Sequence, residues 1–299
     1  MLVLVTGGAG FLGSHLVDSL LERGDGVIVF DDLSRGSASQ IGKGAIFFEG
    51  DVRSVADWDR VFSEYSPDVI HHLAAVNGTR RFHKEADLVV DVNVNGTRNA
   101  LLYAKEHQCR LVFYSSPESF GEQEIMPLSN DSDSLFPPAH HHQRHSYGAS
   151  KYIGEILCQF EVRNGLDVRI VRPCNVYGPR LHGDENGQVV SMMINSNPIV
   201  VHGDGMQTRS LTWIDDVIQG LLLINDMDGL EGMAFNLGST VEITMLDLAK
   251  EISNRRGVDI VHSGPNHGDS KRRLPDVSSN EILSWKATTS MQEGLNQLL

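Results

Sequence analysis

Val3-Leu4-Val5-Thr6-Gly7-Gly8-Ala9-Gly10-Phe11-Leu12-Gly13-Ser14-His15-Leu16 is the stretch on which the reading of this chain turns. Leu2 to Val5 are β-prone and read as a short buried strand that runs straight into Gly7, Gly10 and Gly13. Phe11, Leu12, Leu16, Leu20 and Leu21 then recur at helical spacing. Strand, tight glycine turn and helix start thus follow one another within about two dozen residues. Gly7 permits the sharp turn, Gly10 admits a pyrophosphate against the backbone, and Gly13 lets helix and strand pack closely. The phosphates are expected on the free N–H groups of the helix N-terminus. A second strand, Val27 to Phe30, ends in Asp31 and Asp32. Asp31 stands eighteen positions after Gly13, where a carboxylate takes the ribose hydroxyls of an adenosine and repels a 2′-phosphate. The expected cofactor is NAD rather than NADP.

Outward from this unit, apolar strands alternate with amphipathic helices to about residue 172. Strands are expected at Ala45 to Phe48, Asp68 to Leu73, Arg110 to Tyr114 and Asp167 to Val171. Helices are expected at Val55 to Tyr65, Asp87 to His107 and Tyr147 to Arg163. Such alternation implies an α/β fold, a doubly wound parallel sheet of Rossmann type covered on both faces. Beyond Arg172 the rhythm loosens, with Pro173, Gly178, Pro179, Gly183 and Gly187 breaking the chain. Helices at Ile214 to Asn225 and Met245 to Arg255 remain, with short strands at Ile199 to His202, Ala234 to Leu237 and Val258 to Val261. The expected division is a cofactor-binding domain over 1–172 and a smaller substrate-binding region over 173–299, interleaved with the first.

Ligands of such sheets bind at the carboxyl ends of the strands, so the residues closing each strand carry the function. Asp51 and Val52 close the third strand, where a carboxylate accepts from the adenine amino group. Leu73, Ala74 and Ala75 close the fourth, and their small side chains let backbone lie against a cofactor. Tyr114-Ser115-Ser116-Pro117-Glu118-Ser119-Phe120-Gly121 closes the fifth with hydroxyls and one carboxylate.

Composition bounds the rest. With 299 residues, 40% of them hydrophobic, the chain builds a large core and is not disordered. A net charge of −14 argues against a nucleic-acid binder relying on phosphate neutralisation. Cys109, Cys158 and Cys174 show no paired or metal-type spacing, and no apolar run is long enough for a bilayer. A cytoplasmic protein is expected, free of membrane. The histidine-rich loop Ala139 to His145 lacks an accompanying carboxylate or cysteine cluster, so it reads as a mobile loop near the entrance and not as a metal site.

Tyr147-Gly148-Ala149-Ser150-Lys151 puts a phenol and an ammonium one helical turn apart on one face. A nearby cation stabilises phenolate, so Tyr147 is expected to exchange a proton near neutral pH despite an ordinary pKa of about 10. Ser116 is placed to hydrogen-bond the same substrate hydroxyl.

With these pieces in hand, the chain resembles the extended short-chain dehydrogenase/reductases, the nucleotide-sugar epimerases, dehydratases and decarboxylases. The resemblance rests on Thr6 to Gly13, Asp31, Asp51-Val52, His72 to Ala75, Asn93 to Thr97, Ser115-Ser116 with Gly121, and Tyr147 to Lys151. It continues through Arg172 to Arg180, Gly203 to Ser210, Asn236-Leu237-Gly238 and Arg273 to Asp276. It implies that Tyr147 takes a proton from the sugar 4-hydroxyl while hydride passes to NAD, with Lys151 holding the nicotinamide ribose. It adds Phe11, Leu12, Asn93 and Pro173 to the cofactor site. Asn175 is implied at the substrate, and Arg209 and Arg273 as a clamp on its pyrophosphate. The 4-keto sugar opens epimerisation, dehydration or decarboxylation. Glu118, two positions after Ser116, matches dehydratases, decarboxylases and some reductases, and is implied as a base in the second half-reaction. Pro117 stands where the dehydratases with an Asp-Glu pair carry aspartate. Tyr177 to Asp216 and Arg273-Leu274-Pro275-Asp276 are most similar to UDP-glucuronate decarboxylases, whereas Gly148-Ala149-Ser150 and Asn77 to Phe82 depart from them. The reading is an NAD-dependent nucleotide-sugar epimerase/dehydratase, with a UDP-glucuronate decarboxylase-like lyase as alternative. A non-catalytic NAD-sensing regulator of this fold is the alternative of another class, although Ser116, Tyr147 and Lys151 are all present. A homodimer through the helices Asp87 to His107 and Tyr147 to Arg163 is also implied.

Overall fold

A computed structural model describes residues 1–141, 143–184, 187–264 and 270–299. In the first half, strands β1 (Leu2–Thr6), β2 (Gly26–Asp31), β3 (Ile46–Glu49), β4 (Val69–His72), β5 (Arg110–Tyr114) and β6 (Val168–Pro173) form. Between them lie helices α1 (Phe11–Glu22), α2 (Val55–Glu64), α3 (Thr79–Lys84), α4 (Ala86–Glu106) and α5 (Ser146–Arg163). The second half adds β7 (Val176–Tyr177), α6 (Val189–Asn195), β8 (Ile199–His202), β9 (Thr208–Ser210), β10 (Thr212–Trp213) and α7 (Ile214–Asp226). It ends with β11 (Ala234–Leu237), β12 (Glu242–Thr244), α8 (Met245–Arg256), β13 (Ile260–Ser263), β14 (Arg272–Arg273) and α9 (Met291–Leu298).

The main sheet is seven-stranded and parallel, in the order β11-β6-β5-β4-β1-β2-β3. Its winding reverses between β1 and β4, which opens a crevice at their carboxyl ends. Alternate side chains of β1 feed the two faces. Val3 and Val5 join one core with Leu16, Leu20, Val217 and Leu221, while Leu4 joins the other with Trp58, Ala100 and Cys158. Helices α1 and α7 thus cover one face and α2, α4 and α5 the other. Each fully buried aliphatic side chain contributes about 1.5–3 kcal/mol to this sandwich.

Ala234 to Leu237 forms strand β11 over the expected residues and joins the main sheet beside β6, Phe235 lying opposite Val171. Without it β6 has an unpaired edge, and Phe235 and Leu237 are themselves fully buried there. The strand expected at Val258 to Val261 forms two residues later, in parallel register with β8. A separate three-stranded sheet, β12-β9-β14, stands over the crevice and sets Arg209 directly opposite Arg273.

Candidate active site

One cleft of about 890 Å³ runs along the carboxyl ends of the main sheet. Gly7, Gly10, Phe11, Leu12, Gly13, Asp31, Asp32, Asp51, Val52, Leu73, Ala74, Ala75 and Pro173 all line it. The glycine turn is tight for two reasons. Gly7 has φ +71°, and a Cβ there would lie 2.8 Å from the Ala74 nitrogen. A Cβ on Gly13 would lie 2.2 Å from the Gly7 carbonyl oxygen, so helix and strand meet only without one. No side chain caps α1 at Gly10 and no acid sits in its first turn, which leaves its N–H groups to an anion. Asp31 accepts from the N–H groups of Ala9 and Leu33, both at 2.9 Å. Burial pushes its carboxyl up, against the pull of those two bonds. The Asp51 carboxyl is held below the usual range by Arg53, which bonds it at 2.6 Å. Asn93 alone among the expected cofactor residues does not line the cleft. It is buried, its Oδ1 accepting from Val76 and its Nδ2 donating to Ser150, so it props the cleft wall from behind.

Ser116, Glu118, Tyr147 and Lys151 meet on one wall of the same cleft. Ser116 caps the 3-10 turn Pro117–Phe120, its Oγ accepting from the Glu118 N–H at 3.2 Å. Helix α5 begins against that turn, and a Cβ on Gly148 would lie 2.2 Å from the Glu118 carbonyl oxygen. Phe82 of α3 stacks on the Tyr147 ring, 4.9 Å between centroids and 13° between planes. Lys151 donates to the Tyr114 carbonyl at 2.7 Å and sits 5.7 Å from the centre of the Tyr147 ring.

Burial acts against the expected activation of Tyr147. Burial pushes the Tyr147 phenol up to about 12, although a hydrogen bond with Ser116 pulls it down. Burial also pushes Lys151 down to about 8, so desolvation outweighs the expected lysine–phenol attraction. The residues nonetheless fit a dinucleotide. The glycine turn would cradle phosphate, Asp31 would take a ribose, and one of the three Lys151 donors goes to the Tyr114 carbonyl.

Toward the far end, Asn175 sits in a left-handed conformation, φ +42°, and donates to the Ser210 carbonyl at 3.0 Å. Arg209 donates to the Thr208 carbonyl, and Arg273 is buried with its Nη2 2.6 Å from the Gly121 carbonyl oxygen and 3.5 Å from Glu118. The Nε and Nη1 of Arg273 have no partner among the described residues. All three side chains line the cleft. In the histidine-rich loop, His142 lies outside the described residues, and His145 pairs with Glu122 at 3.1 Å.

Among known proteins, the pattern of the NAD dependent epimerase/dehydratase family matches residues 3–238. The chain belongs to that family. It is an NAD-dependent enzyme with a Rossmann-like fold. It is 33% identical to UDP-glucuronic acid decarboxylase 1 of Arabidopsis thaliana, over 99% of this chain and 68% of that protein. It is 31% identical to a putative UDP-glucose 4-epimerase of Methanocaldococcus jannaschii, over 100% of this chain and 97% of that one. Among solved structures, the UDP-glucose 4-epimerase of Thermotoga maritima with UDP-glucose superimposes with a TM-score of 0.92. The two share 30% identity, covering 99% of this chain and 97% of that one. No support for a non-catalytic regulator comes from these relatives.

In this epimerase/dehydratase, α3 is the part of the site that reading the sequence missed. Arg80, Arg81, Phe82 and His83 line the cleft, and the Ser146 hydroxyl donates to the Phe82 carbonyl at 3.0 Å. The available signal was Phe82 itself, an aromatic residue in a polar run after a strand end.

Proposed function

We propose that this enzyme acts on a nucleotide sugar, oxidises the hydroxyl at carbon 4 to a transient ketone, and completes an epimerisation or dehydration from it. The observation that carries this reading is the meeting of Ser116, Tyr147 and Lys151 on the wall of a cleft whose other end fits a dinucleotide. NAD, when bound, supplies the hydride acceptor and a positive ring charge. Tyr147 takes the hydroxyl proton, Ser116 orients that hydroxyl, and Lys151 holds the phenolate and a ribose. Arg209 and Arg273, opposite each other on β9 and β14, clamp the pyrophosphate, a task that suits the guanidinium fork. Asn175 meets the sugar or its phosphate, Asp51 accepts from the adenine, and Asn93 acts on the cofactor through the loop it props.

Decarboxylation is the second reading. It is favoured by the decarboxylases among the relatives and by Arg273, a buried cation beside Glu118 with two nitrogens unpartnered among the described residues. Mass spectrometry of products from UDP-, GDP-, dTDP- and CDP-sugars separates the branches: no mass change, loss of water, or loss of carbon dioxide. No product from any of them would remove the nucleotide-sugar reading. Glu118→Gln keeps the side-chain shape and removes the base. It is expected to leave single-turnover oxidation intact and slow product formation at least ~100-fold, so that reduced nicotinamide absorbance and the 4-keto sugar accumulate on the enzyme. Product at the natural rate would make Glu118 a structural residue of its 3-10 turn.

The same reading makes the enzyme cytoplasmic, in keeping with three free, buried cysteines, and a homodimer. Tyr152, Ile153, Ile156 and Phe160 of α5 and Val90 and Leu102 of α4 are exposed on two helices packed side by side. Pairing with a second copy covers them as a four-helix layer. Light scattering is expected to give twice the chain mass at micromolar concentration, and a monomer would count against it.

A further inference from the structure

The reacting groups come from two elements, the turn after β5 with Ser116 and Glu118, and α5 with Tyr147 and Lys151. Beneath them lies a part-buried ionic knot that the mechanism does not use. Glu155 stands one helical turn beyond Lys151 on the same face of α5. Arg172 of β6 grips its carboxylate with two bonds, Nε at 2.8 Å and Nη2 at 2.6 Å. The Ser115 hydroxyl donates to the same carboxylate. The Arg172 guanidinium lies over the Phe120 ring at 4.7 Å, and its Nη1 reaches Asn130 Oδ1 at 2.8 Å. Ser115 immediately precedes Ser116, and Phe120 belongs to the 3-10 turn that carries Glu118. The knot therefore touches both ends of that turn and is anchored in the helix of Tyr147 and Lys151.

An ion pair this far withdrawn from water adds little net stability, because desolvating the charges offsets much of their attraction. Its value here is geometric. We propose that Glu155 is a positioning residue for this reaction: pinned by Arg172, it holds Ser115 and so sets the Ser116–Glu118 turn against Tyr147 and Lys151. The inference rests on the assignment of those four residues to the reaction. Glu155 also brings a negative charge to Lys151. The other groups facing that ammonium are Tyr147 and Cys158 on α5, the Tyr114 carbonyl and Phe113 ring on β5, and His72 on β4. Glu155 favours the ammonium, so without its charge Lys151 loses its proton at lower pH.

Two substitutions test this in the full chain with NAD bound. Ser115→Ala cuts the link to the turn and leaves the ion pair whole. It is expected to lower kcat about tenfold with KM, NAD affinity and melting temperature unchanged, the cost of a small misplacement of reacting groups. Glu155→Gln is expected to move the alkaline limb of the pH–rate profile to lower pH, a shift that a purely structural residue would not produce. Wild-type kcat in Ser115→Ala overturns the proposal, as does an unmoved alkaline limb in Glu155→Gln. If the natural enzyme turns over no nucleotide sugar, that failure belongs to the functional reading, and a crystal structure of Ser115→Ala then decides. A turn displaced from Tyr147 supports the proposal, and an unmoved turn overturns it.

Discussion

Tyr147→Phe is expected to leave NAD affinity unchanged and to lower turnover at least ~100-fold, about 2.7 kcal/mol of transition-state stabilisation. The substitution removes one oxygen and keeps the ring. The stack on Phe82 survives, and with it the contact between α3 and α5, so a folding defect is not the expected cause. What disappears is the proton acceptor and its hydrogen bond with Ser116. Burial pushes the phenol up to about 12, so positive charge brought beside it favours the phenolate. Single-turnover oxidation and calorimetric NAD binding measure the two arms separately. Turnover within tenfold of the natural enzyme would move the proton acceptor to another group.

The second large effect concerns stability in acid. His71 and His72 end β4 and are wholly buried. His71 shares hydrogen bonds of 2.8 Å with the Tyr114 hydroxyl and with Asn225 Oδ1. His72 shares one of 2.9 Å with Thr6 Oγ1, and its Nε2 has no partner among the described residues. Burial pushes them down to about 4 and about 3. A lowered base is protonated first in the unfolded chain, where histidine titrates near 6.5, so stability is complete above that pH and falls as pH drops toward the folded values. At pH 5 the loss is about 2 kcal/mol for each histidine and about 4 kcal/mol for the pair. Domains of this kind have about 5–15 kcal/mol in all. Urea midpoints at pH 7.5 and pH 5 check this, with His72→Gln expected to halve the histidine part of the difference. An unmoved midpoint in the natural protein would rule out neutral burial of the pair.

The dinucleotide half was legible because its signals are local. A strand, three spaced glycines and an acid at the next strand end constrain one another within one βαβ unit, and the cleft gathers them as expected. Two things were not local. The pairing of β11 with β6 is a tertiary event, and nothing in Ala234-Phe235-Asn236-Leu237 says which edge it joins. Burial is the other. Tyr147 and Lys151 at four-residue spacing read as an activated pair, but only the fold reveals how far desolvation acts against both. Asn93 illustrates the same limit, since a motif residue of the family props the wall here instead of lining it.

The late arrival of β11 bears on how the protein is made. On the ribosome, β6 leaves the exit tunnel well before β11 has been translated. Through that interval the nascent sheet presents the bare N–H and C=O groups of one edge, and His71 lacks the Asn225 side chain that joins it from α7. A bare, apolar edge is a template for pairing with another chain. Until β11 is made, the β6 edge is therefore open to pairing with another chain, and β11 closes it.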